Sequence, residues 1–425
     1  MAHICIDGRD LALPYQTGIG TYARNLNDAL ELMGHRTSVL YGRNIRNTRS
    51  APLREALFFD EDKSEAAKLP LSGLRTLRAN LPVLLGSTEA IEIPRTGLVV
   101  RDGRFDIAPT LYNVPRLFHL ANRRFRLTGQ LLGVRNPGGV SVCHWTSPLP
   151  VRMLGARNIY TLHDLIPLRY PYLVKGNPAH FFRVVRAIAT QASHVVTVSE
   201  HARRELLDHL PLNAERVTNT YQSVVIPPPA PDGDNVRQLY GLNEKDYYLS
   251  FSVIDPRKNI VRLIEAYLTS GSSRKLVIAG KFEWLGPADV RMLLNLGLWN
   301  PQSRMPQSRG NVTFLGHVMS GHLDPLIRGA QAVMFPSITE GFGLPIIEAM
   351  GRGVAVLTSR GGATEEIAGG AAHLIDPLST ASIAQGIRDL DSNPALVAKL
   401  EQAGPGRASA FGVDTYRDKL RPLYA

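Results

Sequence analysis

Two glutamates, Glu340 and Glu348, stand on either side of a glycine-containing stretch that leads into Pro345. Because proline is tolerated in the first turn of a helix, the stretch predicts a loop followed by a helix that begins at Pro345. The N–H groups of such a loop and the positive end of the helix favour an anion such as a diphosphate. The two carboxylates could accept hydrogen bonds from hydroxyl groups of the same ligand. Taken alone, the spacing fits a structural interpretation better, in which Glu348 complements the helix dipole and Glu340 is solvated.

Other candidate residues follow apolar runs that predict strands. Arg257 and Lys258 follow one run and could neutralise a departing diphosphate, although they would also fit a solvated turn. His163 and Asp164 follow another, and a single histidine at the end of a strand is more often structural than functional. Ser199 opens a helix, so we expect it to cap that helix first and to contact phosphate second.

The first part of the chain begins with the pattern of a strand, a helix and a parallel strand. The apolar run at residues 3–7 predicts a strand, and it is followed by a loop that contains Gly18 and Gly20. We expect a helix over residues 21–33 and a second strand over residues 37–41. Residues 42–136 show no pattern clear enough to assign.

A run of prolines divides the chain. Residues 227–231 predict a linker, because consecutive prolines fit neither a sheet nor a helix interior. Beyond it, five apolar runs alternate with helical segments, which is typical of a parallel doubly wound sheet. The sequence therefore predicts an α/β protein with one domain at 1–228, a second at 229–410 and a terminal helix at 411–425 that packs back towards the first domain.

The segments around these candidates resemble a large family of retaining glycosyltransferases with the GT-B fold, in which two Rossmann-like doubly wound domains face a cleft. That family has a Glu-x7-Glu motif and includes bacterial mannosyl- and glucosyltransferases of surface polysaccharide assembly. The resemblance covers nearly the whole chain outside residues 42–136. It is carried by residues 17–26, 160–164, 196–206, 255–259, 311–318, 336–349 and 361–377.

The resemblance implies a role for each candidate residue. Glu348 would hold the ribose hydroxyls of a nucleotide donor, and Glu340 would contact the transferred sugar. His163 would lie against the donor sugar, while Arg257 and Lys258 would face the departing diphosphate. The other donor contacts that it implies are Gly18, Gly20, Ser199, Val318, Phe342, Gly343 and Leu344.

Two positions depart from the family pattern. Relatives commonly carry the arginine several residues before the lysine, where this chain has Ser252 and Val253, so Lys258 is the firmer of the two basic assignments. Relatives also often carry Asn-Gly after a strand where this chain has Gln222 and Ser223, so we expect a different turn there.

The resemblance also implies the chemistry. The acceptor hydroxyl would attack from the face that the diphosphate leaves, and the leaving phosphate oxygen would take the proton, with no enzyme nucleophile, metal ion or cofactor. The donor would be a GDP- or UDP-sugar, with mannose favoured, and the acceptor a glycan or a lipid-linked glycan.

The positive charge of the chain is unevenly distributed. The formal net charge is +11, and no acidic residue occurs between Asp106 and Asp164, whereas seven arginines do. Within this part, residues 115–133 predict an amphipathic helix, which could be a core-facing helix with a basic edge or could rest on an anionic membrane surface. The arginines proposed to face that surface are Arg116, Arg123, Arg124 and Arg126.

The remaining sequence features suggest a cytoplasmic protein, peripheral at most on the inner face of the membrane. Cys5 and Cys143 lie in apolar runs, so neither a disulfide framework nor a cysteine metal site is expected. The first residues reach Asp7 before an apolar signal segment could form, and no run of 18 apolar residues occurs.

Other classes of protein fit less well. Sugar-nucleotide epimerases and hydrolases share the GT-B architecture and stay open as an alternative. The acids at 60–62 reproduce the Asp-x-Asp of metal-dependent GT-A transferases, but they lie in a charged stretch without pattern. Residues 18–23 fit a dinucleotide fingerprint, but they do not directly follow a strand. A nucleic-acid binder would use the same arginines, yet no RNA or recognition-helix motif accompanies them.

Overall fold

An eight-stranded sheet organises the first part of the chain. The computed structural model describes residues 1–13, 17–45, 48–60, 81–100, 105 and 107–425. Neighbouring strands of this sheet are parallel, except that Ile91–Ile93 is antiparallel to Thr110–Asn113. In spatial order its strands are Val217–Asn219, His194–Thr197, Arg157–Thr161, Val142–Trp145, His3–Asp7, Arg36–Tyr41, Thr110–Asn113 and Ile91–Ile93.

Helices cover both faces of this sheet, which is why its central strands are buried along their whole length. A second, three-stranded parallel sheet consists of Ser87–Glu89, Leu132–Arg135 and Val151–Leu154. The α-helices of this part are Gly18–Leu32, Ala51–Phe59, Leu117–Thr128, Ile166–Arg169, Pro178–Gln191 and Glu200–His209, and the 3-10 helices are Pro171–Leu173 and Ala214–Arg216.

Two sequence-based expectations for the first helix were wrong. The first helix begins at Gly18 and not at residue 21, because the Thr17 side chain caps it by accepting a hydrogen bond from the Gly20 N–H at 3.0 Å. Gly18 and Gly20 therefore lie in the first helical turn and not in a loop. Residues 42–136, which showed no clear pattern, contain regular elements that are short and partly at sheet edges, so their periodicity is weak.

The basic segment at 115–133 also differs from the prediction. Only Leu117–Thr128 is helical, because Gly129 adopts a left-handed conformation and ends the helix. Arg124 is only 9% exposed, and it donates hydrogen bonds to the Val83 carbonyl oxygen at 2.7 Å and to Gln130 Oε1 at 2.6 Å. Leu127, which was expected on the apolar face, is 68% exposed. Arg124 is therefore a structural residue and cannot face a membrane.

A six-stranded parallel sheet organises the second part. Its strands are, in spatial order, Val312–Gly316, Lys275–Ala279, Tyr247–Phe251, Ala332–Phe335, Ala355–Ser359 and His373–Ile375. Its helices are Gly233–Leu239, Pro256–Lys258 (3-10), Ile260–Ser270, Pro287–Asn295, Ser320–Arg328, Leu344–Met350, Gly362–Ala368, Thr380–Ser392 and Pro394–Ser409. A two-stranded antiparallel ribbon joins Trp299–Asn300 to Met305–Pro306. The two large sheets, parallel except for the strand Ile91–Ile93, and their helices confirm the predicted α/β class.

The last helix, Val413–Tyr424, packs against Gly18–Leu32 of the first part. Its buried side chains, Tyr416, Leu420, Leu423 and Tyr424, recur at helical spacing and form one face. The Tyr424 hydroxyl hydrogen-bonds His144 of the first sheet, and the Arg157 guanidinium donates to the Leu423 carbonyl oxygen at 3.3 Å. The helix thus returns from the second sheet to the first. Among the described residues, no helix is long and apolar enough to cross a membrane.

Candidate active site

The loop between Ala332–Phe335 and the helix Leu344–Met350 lies at the carboxyl edge of the second sheet. Gly343 caps the helix with a φ of 110°, a conformation that favours glycine. The sequence predicted that the helix begins at Pro345. It begins one residue earlier, at Leu344, so Pro345 is its second residue. Glu348 consequently lies beyond the first turn. It is not placed to complement the helix dipole as the structural interpretation required, because that effect fades within the first turn.

Glu340 in this loop forms an ion cluster with both predicted basic residues. Lys258 Nζ donates to Glu340 Oε1 at 2.7 Å, and Arg257 Nη1 donates to Glu340 Oε2. Arg257 also contacts Asp255 Oδ2 at 3.4 Å. Glu340 and Lys258 are each only 8% exposed. Because their burial removes most solvent screening, the charges in this cluster act strongly on one another.

The pKa shifts of the cluster follow from its geometry. Burial alone would raise the pKa of the Glu340 carboxyl, but Arg257 and Lys258 hold it below its usual range. Burial, reinforced by the neighbouring Arg257, lowers the pKa of Lys258, and Glu340 offsets part of that effect. Glu340 is therefore ionised at neutral pH, and it balances cations that could otherwise bind an anionic ligand.

His163 is fixed by the backbone of Thr146. Its Nε2 lies 2.9 Å from the Thr146 carbonyl oxygen, and because a carbonyl can only accept, Nε2 carries the proton. Burial lowers the pKa of His163, so the ring is neutral at neutral pH. The Tyr22 ring packs edge-on against it, with ring centroids 5.0 Å apart.

Asp7 holds the Thr146 segment in place. The Thr146 N–H and hydroxyl both donate to Asp7 Oδ2, the hydroxyl at 2.8 Å. Burial raises the pKa of Asp7 to about 6, although these hydrogen bonds favour the ionised form. Asp7 was noticed in the sequence only as an acid near the start of the chain. Nothing in its sequence context indicates that it supports the residue that orients His163.

Gly341 brings the two sheets together at this site. A Cβ atom on Gly341 would lie 2.7 Å from the His163 carbonyl oxygen and 3.0 Å from Asp164 Oδ2, closer than real side chains approach. The Ser199 hydroxyl donates to the Gly341 carbonyl oxygen at 2.8 Å. His163, Asp164 and Ser199 all follow strands of the first sheet, so the carboxyl edges of the two sheets face each other here. In the sequence, Gly341 was noted only as part of the glycine-containing stretch between Glu340 and Glu348.

The hydroxyl of Ser199 has two structural partners. It accepts a hydrogen bond from the Ala202 N–H at 3.1 Å, which makes Ser199 the cap of Glu200–His209, and it donates to Gly341. Ser199 is fully buried. Its predicted contact with phosphate stays a prediction, and its observed contacts join the two sheets.

Glu366 makes a further contact across the same seam, which sequence reasoning missed. Its carboxylate accepts hydrogen bonds from the N–H groups of Glu200 and His201, each at 2.8 Å. These N–H groups belong to the first turn of a helix in the first part of the chain, where a negative charge is favoured. Glu200 and His201 are each more than 160 positions from Glu366 in the chain, so no local sequence pattern could reveal this contact.

The glycines of the first helix lie opposite the second sheet's loop. A Cβ on Gly18 would make an ordinary contact at 3.8 Å with Leu344, so the starts of the two helices face each other. A Cβ on Gly20 would lie 3.1 Å from Thr17 Oγ1 and 3.3 Å from the Asp10 carbonyl oxygen, so a larger side chain would crowd this turn. Phe342 is buried and packs edge-on against Phe411.

Two predicted residues lie apart from the ion cluster. Glu348 is half-buried, and its carbonyl oxygen accepts a hydrogen bond from Arg352 at 2.7 Å. Val318 follows the strand Val312–Gly316 and packs against the apolar core. No hydrogen bond or ion pair among the described residues joins either of them to Glu340, so a shared role with Glu340 stays a prediction.

No group of three or more histidine, cysteine, aspartate or glutamate side chains in the described ranges could hold a metal ion. The acids at 60–62 were weighed as a metal-binding Asp-x-Asp motif of the GT-A type. Two of them, Glu61 and Asp62, lie outside the described residues.

Two family models match consecutive parts of the chain. The model described as Glycosyltransferase Family 4 matches residues 16–224, and the one described as Glycosyl transferases group 1 matches residues 234–407. The first model covers the part built on the eight-stranded sheet, and the second contains the ion cluster and Glu348.

Several curated relatives match this chain over part of their own length. The O-antigen chain mannosyltransferase B of Escherichia coli is 30% identical over 54% of this chain and 59% of that protein. The serotype-specific mannosyltransferase WbdA of Escherichia coli is 28% identical over 55% of this chain and 29% of that protein. The O-antigen chain mannosyltransferase RfbU of Salmonella typhimurium is 26% identical over 61% of this chain and 67% of that protein. The chain spans about half the length of the curated relatives it matches.

Solved structures share the fold along the whole chain. HepE of Anabaena, in complex with UDP and glucose, superposes with a TM-score of 0.66 at 16% identity and covers 100% of this chain and 99% of that one. A sucrose-phosphate synthase of Thermosynechococcus elongatus also has a TM-score of 0.66, at 18% identity, and covers 100% and 98%. At such identities the similarity shows the fold alone.

Proposed function

Since this chain belongs to the GT-B glycosyltransferases, we propose that it transfers a hexose, with mannose favoured, from a nucleoside diphosphate sugar to a glycan or lipid-linked glycan acceptor. The observation that carries the proposal is the buried cluster of Glu340, Arg257 and Lys258 at the seam between the two sheets. The names of the O-antigen mannosyltransferases favour mannose, and the nucleotide in the HepE structure favours a nucleotide donor.

The cluster supports separate roles for its cations and its carboxylate. A donor diphosphate placed beside Arg257 and Lys258 would compete with Glu340 for both cations, which would free the carboxylate to accept hydroxyl groups of the sugar. The cations would then stabilise the charge that develops on the leaving diphosphate. The acceptor hydroxyl would attack from the same face, and its proton would pass to the leaving phosphate oxygen, so the configuration is retained. In this proposal the protein contributes positioning and charge stabilisation and no covalent intermediate.

The decisive experiment incubates the purified protein with a panel of GDP- and UDP-sugars, with and without a glycan acceptor. Transfer predicts that release of the nucleoside diphosphate depends on the acceptor and that a new glycosidic bond forms. Nucleotide release or sugar inversion that does not depend on an acceptor would instead assign the protein to the sugar-nucleotide epimerases or hydrolases.

Turnover is expected to need no divalent metal, because in this proposal Arg257 and Lys258 neutralise the diphosphate charge. After exhaustive EDTA treatment, the initial rate of transfer should equal that of the untreated enzyme, and added Mg²⁺ or Mn²⁺ should not increase it. A complete loss of activity that either ion restores would contradict the proposal and favour a metal-dependent mechanism through the acids at 60–62.

Glu348→Ala is expected to weaken nucleotide binding by about 1–3 kcal/mol, the cost of losing a charge-assisted hydrogen bond. Titration calorimetry with free nucleoside diphosphate measures this directly, and Glu365→Ala serves as a matched exposed control. Unchanged affinity in Glu348→Ala would refute the ribose role.

The pH dependence gives this prediction a second readout. Burial raises the pKa of Glu348, and Arg352 offsets part of the rise. Because only the ionised carboxylate accepts both ribose hydroxyls, affinity should fall as the pH decreases towards this raised pKa, at a higher pH than for an ordinary glutamate. Glu348→Gln should lose this pH dependence.

We further propose that the exposed basic side of Leu117–Thr128 contacts an anionic membrane surface, with each arginine near the surface contributing about 1 kcal/mol. Because Arg124 is buried, the arginines involved are Arg123 and Arg126, which are exposed on the helix, and Arg116, which precedes the helix and is half-buried. Replacing these three by Gln should abolish sedimentation with anionic liposomes at low salt and leave nucleotide binding intact. Wild-type protein that does not sediment with such liposomes would refute this contact.

A further inference from the structure

A basic pocket lies beside the first sheet, between the helices Leu117–Thr128 and Pro178–Gln191 and the loop that follows His3–Asp7. Its volume is about 740 Å³, within the range of small-ligand sites. It is lined by Arg9, Phe118, His119, Asn122, Arg123, Arg126, Leu127 and His180.

The described lining residues are cationic, and the charge of Arg9 is partly balanced by its neighbour Asp10, which does not line the pocket. It contains three arginines and two histidines, and the lining residues include no carboxylate. In the described part of the chain, no ion pair joins the guanidinium of Arg9 or Arg126 to an acid. Burial and then Arg116, Arg123 and Arg126 lower the pKa of His119, and burial and then Arg126 and Arg183 lower that of His180. The pocket therefore concentrates positive potential that an anionic ligand would offset.

The polar side chains that line the pocket offer a ligand few hydrogen-bond acceptors. His180 Nε2 lies 3.1 Å from Asn122 Oδ1, and Asn122 Nδ2 donates to the Phe118 carbonyl oxygen at 2.8 Å. The amide oxygen of Asn122 is thus already engaged. What the pocket offers a ligand is guanidinium donors, which match the geometry of phosphate oxygens, next to the apolar surfaces of Phe118 and Leu127.

The pocket lies next to the candidate active site. Asp10, the neighbour of Arg9, has its carbonyl oxygen 3.3 Å from the position of a Cβ on Gly20, and its carboxylate opposes part of the burial that lowers the pKa of His163. Arg9 is also tied to the edge of the first sheet, because its N–H donates to Asp7 Oδ1 at 3.3 Å. A ligand held by Arg9 would therefore lie beside the loop that borders the reaction centre.

We propose that this pocket binds a phosphate or diphosphate group of the acceptor, so that it fixes the acceptor from the side of the first sheet. This rests on the proposed function, because it assigns an acceptor to a transferase. The guanidinium groups of Arg9 and Arg126 hold the phosphate oxygens, and Phe118 and Leu127 contact the apolar or sugar portion attached to them. The bound acceptor then extends past Asp10 towards His163.

The test measures binding of inorganic pyrophosphate by calorimetry in the presence of saturating GDP and UDP, which occupy the donor site. The Arg9→Gln/Arg126→Gln double variant should bind pyrophosphate more weakly by about tenfold for each charge-assisted contact removed. Arg186→Gln is the matched control, because Arg186 is exposed on Pro178–Gln191 and does not line the pocket. It should bind pyrophosphate like the wild type, and all three proteins should bind nucleotide equally.

Equal pyrophosphate affinity in the wild type and the double variant, or no binding by the wild type, would overturn the proposal. If the wild-type protein binds no nucleotide but binds pyrophosphate more tightly than the double variant does, the proposed function is refuted. The assignment of the pocket then stays valid. Vesicles that contain phosphatidic acid identify the source of the phosphate. Binding to them that pyrophosphate displaces assigns the site to a lipid headgroup, whereas pyrophosphate binding without vesicle binding assigns it to a phosphate on a soluble acceptor.

Discussion

Lys258→Met is expected to lower kcat by about 100- to 1000-fold, the effect of removing one preorganised charge from a transition state. Methionine keeps the length of the buried stem and removes the ammonium group that contacts Glu340 at 2.7 Å. Affinity for free nucleotide should change less, because Arg257 would still be able to face the diphosphate. Steady-state kinetics measures the effect, and Lys399→Met, at an exposed position of Pro394–Ser409, is the control.

The pH profile separates two causes of this loss. Lys258 and Arg257 together hold the pKa of Glu340 below its usual range, so removing Lys258 should raise that pKa. If the activity were lost because Glu340 becomes protonated, raising the pH would restore it. If Lys258 stabilises the leaving diphosphate, kcat stays low across the accessible pH range. A wild-type kcat in Lys258→Met would remove the lysine from the mechanism.

Gly341→Ala is expected to reduce kcat/KM by about 100-fold, because small displacements of reacting groups have costs of this size. The added methyl would lie 2.7 Å from the His163 carbonyl oxygen and 3.0 Å from Asp164 Oδ2. Because the contact at 2.7 Å is with backbone, either the loop that carries Glu340 or the segment that carries His163 must shift. Steady-state kinetics with donor and acceptor test this expectation.

Gly406→Ala is the matched control for this substitution. Gly406 lies in the helix Pro394–Ser409, and a Cβ there would have no neighbour within 4 Å. Alanine is the better helix former, so this variant should be active and at least as stable as the wild type. Gly341→Ala with unchanged kcat/KM would show that close approach at the seam is not needed for catalysis.

Most of the secondary structure could be predicted because its causes are local. Lys275–Ala279 and Ala332–Phe335 are two of the five apolar runs that predicted strands, since a strand buried on both faces shows its length directly in the sequence. The helix starts were less accurate, because they depend on the cap. Thr17 and Gly343 each move the start of a helix by one to three residues from where pattern alone placed it.

In the helix Leu117–Thr128, helical periodicity does not predict which arginine is buried. Arg123, Arg124 and Arg126 look equivalent in the sequence, and a helical projection cannot say which neighbouring segment will cover which side. The Val83 carbonyl oxygen and Gln130 Oε1 accept hydrogen bonds from Arg124, so that arginine becomes structural, whereas the side chains of Arg123 and Arg126 stay exposed. The membrane surface and the acceptor pocket proposed here both depend on that distinction.

The sequence by itself determined the α/β class and the residue types that could handle a diphosphate and a sugar, because strand and helix periods, glycines and charged side chains are properties of short segments. It did not determine how these residues meet. Glu340 contacts Lys258 across 82 positions, and Gly341 contacts His163 across the seam between two sheets. Only the tertiary structure decided these contacts, since the distance between residues far apart in the chain is set by how the two sheets pack and not by any local preference.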